Sequence, residues 1–182
     1  GINAEYGEMK KKVVLMGDSS VGKTALATKI VFNKLPEIPQ SSIQAACTKY
    51  LSHGEQIDLW DTAGQERFDA ISAFYYKTAS CILLVFDLNK TQTFLRAKAL
   101  FQKIRETTNT KVILVGNKVD LPQKINQGDI NYFCQENKLQ LFKVSALTGQ
   151  SVSDVFDKAA EQLPVDKDGN VIIIQEQKKG CC

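Results

Sequence analysis

The residues from Gly17 to Thr24 read Gly-Asp-Ser-Ser-Val-Gly-Lys-Thr, which satisfies the pattern Gly-x-x-x-x-Gly-Lys-Ser/Thr. Glycines let the backbone curl, so that its N–H groups and the N-terminus of the next helix point at anionic oxygens. Lys23 would then offset the charge of a polyphosphate, and the Thr24 hydroxyl would ligate Mg²⁺. The segment therefore predicts a polyphosphate site, and a turn that merely starts a helix is the less favoured alternative.

A second candidate segment is Asp61-Thr62-Ala63-Gly64-Gln65, which comes directly after a predicted strand. Because doubly wound sheets bind ligands at the carboxyl ends of their strands, we expect Asp61 to reach the Mg²⁺ ion. Gly64 would let a backbone amide approach the terminal phosphate, and Gln65 would orient an attacking water. Taken alone, the segment could equally be a turn that ends a strand. The phosphate loop upstream favours the functional interpretation.

Two further segments follow apolar strands and favour guanine as the base. They are Asn117-Lys118-Val119-Asp120 and Ser145-Ala146. The Asp120 carboxylate can accept hydrogen bonds from N1–H and from the exocyclic amine of guanine, whereas adenine has an acceptor at N1 and lacks that amine. Sites that pair buried polar groups reject analogues without the partner by about 10⁴ to 10⁵. For the first segment alone, a helix-capping turn is the alternative.

Short apolar runs alternate with amphipathic stretches along the chain, which predicts strands and helices in turn. The predicted strands are Lys12 to Met16, both arms of a hairpin within Tyr50 to Trp60, Cys81 to Phe86, Val112 to Val115 and Leu141 to Val144. The predicted helices are Lys23 to Asn33, Glu66 to Thr78, Gln92 to Thr107, Gln127 to Asn137 and Ser151 to Leu163, the last stopped by Pro164. This order predicts an α/β fold with a six-stranded, mostly parallel sheet and helices on both faces.

Composition excludes several classes of protein. The length of 182 residues predicts a single domain with a short appendage. The net charge of +3 comes from dispersed basic residues, without the dense stripe that nucleic-acid binding requires. The longest wholly apolar run, Cys81 to Phe86, is far too short for a membrane-spanning helix. The spacings of Cys47, Cys81 and Cys134 fit neither a disulfide framework nor a zinc site.

The motifs together resemble the small GTPases of the Rab family, over a region from about Lys12 to Leu163. They are GDSSVGKT at 17–24, WDTAGQERF at 60–68, NKVD at 117–120 and SAL at 145–147. Other segments are most similar to the early-endosomal Rabs, namely Ser41-Ser42-Ile43, Ala45-Ala46, Trp60-Asp61, Phe74-Tyr75-Tyr76 and Cys181-Cys182. The resemblance implies a P-loop NTPase fold of the small G domain type at 11–163, with an N-terminal extension at 1–10 and a flexible tail at 164–182.

The resemblance also implies a role for each matching residue. The residues expected to bind GTP or GDP are Asp18, Ser19, Ser20, Val21, Gly22, Lys23, Thr24, Ala25, Leu35, Ser42, Gly64, Asn117, Lys118, Asp120, Ser145, Ala146 and Leu147. The expected Mg²⁺ ligands are Thr24, Ser42 and Asp61. Gln65 and Lys23 would carry the hydrolysis of GTP to GDP and phosphate. No arginine occurs between Thr24 and Asp61, so we expect an activating protein to supply one.

The function that the resemblance implies is that of a monomeric GTPase switch in vesicle traffic, most similar to those of endosomes. The expected partners are an exchange factor, a GTPase-activating protein, effectors, a prenylation escort protein and a GDP-dissociation inhibitor, with no nucleic acid. Cys181 and Cys182 would carry prenyl groups, so that the protein cycles between the cytosol and the cytoplasmic face of a membrane. Val171 to Ile174 is either a binding site for the escort or inhibitor, or a strand that packs back on the domain.

Four positions depart from the family pattern. Leu35 stands where an aromatic residue normally packs against guanine, which predicts faster release of nucleotide. Ser42 replaces a threonine, Gln44 a glycine and Cys47 a phenylalanine. The altered stretch keeps open an alternative, a non-hydrolysing or fast-exchanging scaffold that holds a guanine nucleotide. A phosphotransferase that uses ATP is a further alternative, which Asp120 opposes.

Overall fold

The computed structural model describes residues 11–33, 46–62 and 76–172. The strands in this part of the chain are β1 (Lys11–Gly17), β2 (Ala46–Ser52), β3 (Glu55–Asp61), β4 (Cys81–Asp87), β5 (Lys111–Asn117) and β6 (Gln140–Lys143). The helices are α1 (Lys23–Phe32), α2 (Thr91–Thr107), α3 (Gln127–Asn137) and α4 (Val152–Ala160). Most of the predicted helix at Glu66 to Thr78 lies outside the described residues.

The six strands form one sheet in the order β2-β3-β1-β4-β5-β6. All neighbouring strands run parallel except β2 and β3, which are antiparallel, so the predicted topology is confirmed. A turn of two residues joins β2 to β3, and both residues, His53 and Gly54, have positive φ angles of 49° and 80°. Such turns match the twist of a hairpin. His53 therefore belongs to the turn, at the opposite end of β3 from Asp61.

Helices cover both faces of the sheet, as predicted. On one face, α1 and α4 pack through Leu26, Val155 and Phe156 against residues of β1, β3 and β4. On the other face, α2 and α3 pack through Phe94, Phe101 and Phe133 against alternate residues of the same central strands. The central strand β4 is buried along its whole length because helices cover both of its sides.

The last helix ends earlier than predicted. It stops at Ala160 rather than at Leu163. Pro164 has no N–H to donate to the carbonyl of Ala160 four residues before it, and a proline ring also crowds that carbonyl. Lys11 Nζ, which pairs with Glu55, donates to the Ala160 oxygen at 2.7 Å instead. The proline thus ends the helix one turn upstream of its own position.

Residues 164–172 form a narrow turn that lies against the loop between α2 and β5. Val165 and Val171 make an isolated antiparallel bridge, and the Asp166 carboxylate accepts the backbone N–H groups of Asp168 and Asn170 at 2.9 Å each. The Thr110 hydroxyl donates to the Val165 carbonyl at 3.4 Å. Val171 thus pairs with Val165 within this turn and is 50% exposed, while residues 173 and 174 lie outside the described part. No helix in that part is long and apolar enough to cross a membrane.

Candidate nucleotide-binding site

The candidate residues of the described ranges meet at one edge of the sheet. The phosphate loop follows β1, Asp61 ends β3, Asn117 ends β5, and Ser145 comes two residues after β6. These four strands are parallel, so their carboxyl ends lie on the same side. This is the edge at which open α/β sheets bind ligands.

The phosphate loop has a backbone that a chain without glycine would adopt with difficulty. Gly22, which precedes the first residue of α1, has a φ of 99°. A Cβ atom there would lie 2.3 Å from Asn117 Nδ2, so the position has no room for a side chain. Within the described loop and helix, no side chain caps the N-terminus of α1 and no acidic residue lies in its first turn. The first amides of the helix are therefore oriented as in anion sites.

Lys23 points its ammonium group back into the curve of the loop. Nζ donates to the carbonyl oxygens of Gly17 at 2.9 Å and of Asp18 at 2.6 Å. The residue is 3% exposed, and a buried cation requires such partners. The positive charge is thereby fixed inside the amide-lined loop, where it can offset the charge of a bound phosphate.

The Thr24 hydroxyl and the Asp61 carboxylate lie side by side. Thr24 Oγ1 donates to Asp61 Oδ2 at 2.6 Å. The next residue, Thr62, donates its hydroxyl to the Leu15 carbonyl at 2.7 Å and so fastens the end of β3 to β1. Hydroxyl and carboxylate oxygens are the ligands that Mg²⁺ prefers, so this pair fits the predicted metal.

The Asn117 side chain joins three segments of the site. Its Nδ2 donates to the Val21 carbonyl at 2.9 Å, and its Oδ1 accepts the Ala146 N–H at 3.2 Å. Lys118 Nζ donates to the Ser20 carbonyl at 3.0 Å. The predicted base-binding segments are therefore bonded directly to the predicted phosphate loop.

Asp120 is held by a neighbouring loop and remains open to solvent. The Ser145 hydroxyl donates to Asp120 Oδ1 at 2.7 Å and in turn accepts the Thr148 N–H at 3.0 Å. The carboxylate is exposed, so it can meet a ligand. Ser145, which carries little information as a sequence signal, thus fixes the group expected to select guanine. Leu147, the last predicted residue of this loop, is 61% exposed.

One residue of the site was not predicted from the sequence. Asp87 is the last residue of β4, is almost wholly buried, and has its Oδ2 atom 2.8 Å from Lys118 Nζ. The signal that identified Asp61, a carboxylate at the end of a buried strand, was present here as well. No familiar motif contains Asp87, and its pairing with Lys118 depends on the register of β4 and β5.

Several predicted residues lie outside the described ranges. They are Leu35, Ser42, Gly64, Gln65, Cys181 and Cys182. Their roles stay predictions. Among the predicted residues that are described, Ala25 lies in the first turn of α1. The Ser19 N–H donates to Asp18 Oδ1 at 2.9 Å.

The sequence was compared with protein families and with characterised proteins. Residues 12–165 match the model of the Ras family. The GTP-binding protein ypt5 of Schizosaccharomyces pombe is 32% identical to the chain, over 87% of this chain and 80% of the relative. Ras-related protein Rab-5B of Plasmodium falciparum is 33% identical, over 86% and 79% respectively. Ras-related protein RABF2a of Arabidopsis thaliana is 34% identical, over 84% and 80%.

Proposed function

Because this chain belongs to the Ras family and is a small GTPase that hydrolyses GTP, we propose that it does so with Mg²⁺ in the site described above. It acts as a switch in endosomal membrane traffic, in keeping with its Rab5-type relatives. Family membership disfavours the alternative of a non-hydrolysing scaffold, since the relatives are GTP-hydrolysing enzymes.

The observation that carries the assignment of the site is the pair of hydrogen bonds that the Asn117 side chain makes, one with Val21 and one with Ala146. A side chain that only ended a strand would not need to bond to two loops, each from a different part of the sequence. These two hydrogen bonds fix the distance between the phosphate loop and the loops predicted to bind the base. A ligand with both a purine and a polyphosphate matches such a joined site.

Each group of site residues has its own role in GTP hydrolysis. Lys23 and the amides of the phosphate loop offset the charge that develops on the phosphate oxygens during transfer to water. Thr24, Asp61 and Ser42 would hold Mg²⁺, which would neutralise part of the same charge. Gln65 orients the attacking water, and Gly64 contributes an amide to the terminal phosphate. Asp120 and Lys118 retain the guanine base.

Hydrolysis by the protein alone is slow. No arginine occurs from Ala25 to Trp60, so no such side chain from this stretch stabilises the transition state. By comparison with switches of this type, we expect a rate on the order of 10⁻⁴ to 10⁻³ per second until an activating protein provides an arginine. Loss of the terminal phosphate then removes the contacts proposed for Ser42 and Gly64, which is how the bound nucleotide becomes a signal to partners.

Single-turnover hydrolysis of GTP tests this function. The purified chain is loaded with GTP, and phosphate release is followed for the parent and for Gln65→Leu. We expect at least a tenfold slower release from the variant, because the water loses its orienting group. Gln56→Leu, the same change at an exposed position of β3, is the matched control and should hydrolyse as the parent does. Equal rates for parent and Gln65→Leu would refute the role of Gln65.

Membrane attachment is the second part of the proposal. Prenylated Cys181 and Cys182 attach the protein to endosomal or other vesicle membranes, and the escort protein and the GDP-dissociation inhibitor act on this tail. One lipid chain gives marginal binding and two give stable attachment. After prenylation in a eukaryotic lysate, the parent should float with vesicles, the two single Cys→Ser variants should float weakly, and the double variant should stay unbound. Equal flotation of all four would refute the attachment.

A further inference from the structure

We propose that Asp87 is a positioning residue of the nucleotide site, which acts through Lys118 and sets the rate at which guanine nucleotide is released. The inference rests on the proposed function, because it assigns Asp87 a task in that same site. Asp87 lies outside the motifs by which the site is recognised in the sequence.

The position of Asp87 follows from the register of the sheet. In the parallel pair β4 and β5, Asp87 stands directly opposite Asn117, the residue before Lys118. Its carboxylate is 2% exposed, and Oδ2 lies 2.8 Å from Lys118 Nζ. The second oxygen, Oδ1, accepts the Asn89 N–H at 2.8 Å. Both carboxylate oxygens thus have a defined partner, and the group is fixed in direction.

Lys118 connects this buried charge with the phosphate loop. Its ammonium group donates to the Ser20 carbonyl at 3.0 Å while it pairs with Asp87. The backbone of Lys118 has a φ of 66°, a left-handed conformation that lysine rarely adopts. Strain of this kind persists where surrounding contacts hold it, and it is frequent at ligand sites. The Asp87 carboxylate, 2.8 Å from Lys118 Nζ, is a charged contact of this kind.

A buried carboxylate without its cation is strongly unfavourable, so the two side chains depend on each other. With Asp87 in place, the ammonium of Lys118 bridges the end of β4 and the loop that binds phosphate. Without the charge, Lys118 loses its tether to β4, and the base loop loses one of its links to the phosphate loop. Nucleotide held between the two loops should then dissociate faster.

The local backbone does not depend on this ion pair. The Leu88 N–H donates to the Asn117 carbonyl at 3.1 Å, and the Lys124 N–H donates to the Leu88 carbonyl at 3.0 Å. Asn89 Nδ2 also donates to the Pro122 carbonyl at 2.6 Å. Asp87→Asn keeps an oxygen that can accept the Asn89 N–H and removes only the charge. The variant therefore separates the ion pair from the fold of the loop.

The experiment is a double-mutant cycle on the release of fluorescent GDP from the purified full chain. The variants are Asp87→Asn, Lys118→Met and the combination of both. We expect Asp87→Asn to accelerate release about tenfold, since a hydrogen bond between charged groups is lost. In the Lys118→Met background the same change should not accelerate release further, because Asp87 acts through Lys118.

Two controls separate this role from a purely structural one. Asp58→Asn removes the charge of another carboxylate with little exposure, 3.1 Å from Lys49 and outside the nucleotide site, and should release GDP as the parent does. Thermal unfolding of the nucleotide-free protein should give midpoints for Asp87→Asn and Asp58→Asn that agree within about 2 to 4 °C. If Asp87→Asn does not fold, the cycle is run with Asp87→Glu, which keeps the charge and displaces it by one methylene.

The outcomes are distinguishable. Unchanged release by Asp87→Asn, or an acceleration that is equally large in the Lys118→Met background, overturns the inference about Asp87. If the parent itself binds neither GDP nor GTP, the proposed function fails, whatever the variants do. Acceleration that disappears in the Lys118→Met background supports Asp87 as a positioning residue.

Discussion

Thr24 and Asp61 are 37 positions apart in the chain, yet the Thr24 hydroxyl donates to Asp61 Oδ2 at 2.6 Å. Thr24 lies in the first turn of α1, and Asp61 is the last residue of β3, opposite Leu15 of β1. The strand pairing therefore brings the two oxygens together. The sheet itself forms this part of the predicted metal site, because Asp61 ends β3 and Thr24 lies in the first turn of the helix that follows the neighbouring strand β1.

We predict that Asp61→Asn lowers the dependence of nucleotide binding on Mg²⁺. An amide oxygen is a weaker ligand for a hard cation than a carboxylate, so the metal contributes less to retention of GDP. With excess EDTA, the parent should release fluorescent GDP at least tenfold faster than with millimolar Mg²⁺. Asp61→Asn should release GDP fast under both conditions.

Asp58→Asn is the matched control for this metal dependence, since Asp58 lies on the same strand and outside the site. It should respond to EDTA as the parent does. A parent that releases GDP at one rate with and without Mg²⁺ would contradict the assignment of the metal. An Asp61→Asn variant with the full response would contradict the role of Asp61.

Asp120→Asn should change the preferred base. Loss of the carboxylate removes the acceptor for two guanine donors, and hydrogen bonds to charged groups are worth about 1.5–3 kcal/mol each. Affinity for GDP should therefore fall by about 10² or more. Xanthine has a carbonyl in place of the guanine amine, and the asparagine NH₂ can donate to it, so affinity for xanthosine diphosphate should rise.

Competition titrations with the two diphosphates measure this change of preference. Asp129→Asn, at an exposed carboxylate of α3, should bind GDP as the parent does. If Asp120→Asn keeps the GDP preference of the parent, Asp120 does not read the base. A general loss of both ligands together with a lower unfolding temperature would mean that the Ser145 contact is mainly structural.

The sequence predicted those features that depend on local patterns. The bounds of α3, Gln127–Asn137, were predicted to the residue, because Asn126 accepts the N–H groups of Gly128 and Asp129 at the start and Lys138 adopts a left-handed backbone at the end. Uniformly apolar runs likewise identified β4 and β5. Such signals lie within a few residues of the element that they define.

Features that depend on distant residues could not be predicted in this way. The partner of the last carbonyl of α4 is Lys11, which belongs to the first strand and reaches Ala160 only in the folded chain. The task of Asp87 follows from its register with Asn117 across two strands. A single sequence shows that Asp87 directly follows a predicted strand, and it does not show which lysine pairs with its carboxylate.

Leu35→Phe should slow the release of nucleotide. Phe32, one helical turn earlier, is 63% exposed, and Leu35 stands at the position that the family pattern gives to an aromatic residue. An aromatic contact with the base is worth about 1 kcal/mol, which corresponds to roughly fivefold in the release rate. The rate is measured with fluorescent GDP at constant Mg²⁺. Leu51→Phe, on the exposed edge of β2, is the control and should not change the rate, and an unchanged rate for Leu35→Phe would contradict the prediction.

Two buried side chains that can lose a proton, the Tyr50 hydroxyl and the Cys81 thiol, predict a loss of stability in alkaline solution. The Tyr50 hydroxyl donates to the Phe156 carbonyl at 3.1 Å, and its ring packs edge-on against that phenylalanine. Burial raises the pKa of Tyr50 above its ordinary value. Burial also raises the pKa of the Cys81 thiol from 9.0 to about 12. In each case the neutral form is favoured by the folded state.

The sign of the pH dependence follows from these two shifts. A raised pKa in the folded state means that stability is fully present below the pKa of the unfolded chain and is lost as pH rises towards the folded value. The loss should begin near pH 9 with Cys81 and become steeper near pH 10, where an unfolded tyrosine ionises. Each ionising group should raise the unfolding constant about tenfold per pH unit.

The variant Tyr50→Phe distinguishes the contribution of the tyrosine from that of the cysteine to the loss of folding stability at high pH. At pH 8 the variant should be less stable by about 1 kcal/mol, since one buried hydrogen bond is lost and the Phe156 carbonyl keeps no partner from this side chain. Above pH 10 the variant should lose stability less steeply than the parent, because it has no buried hydroxyl to ionise. Urea denaturation from pH 8 to 11 measures both effects. Tyr132→Phe, at a residue that is 67% exposed, should follow the parent curve, and a Tyr50→Phe variant that also follows it would show that the buried hydroxyl is not the titrating group.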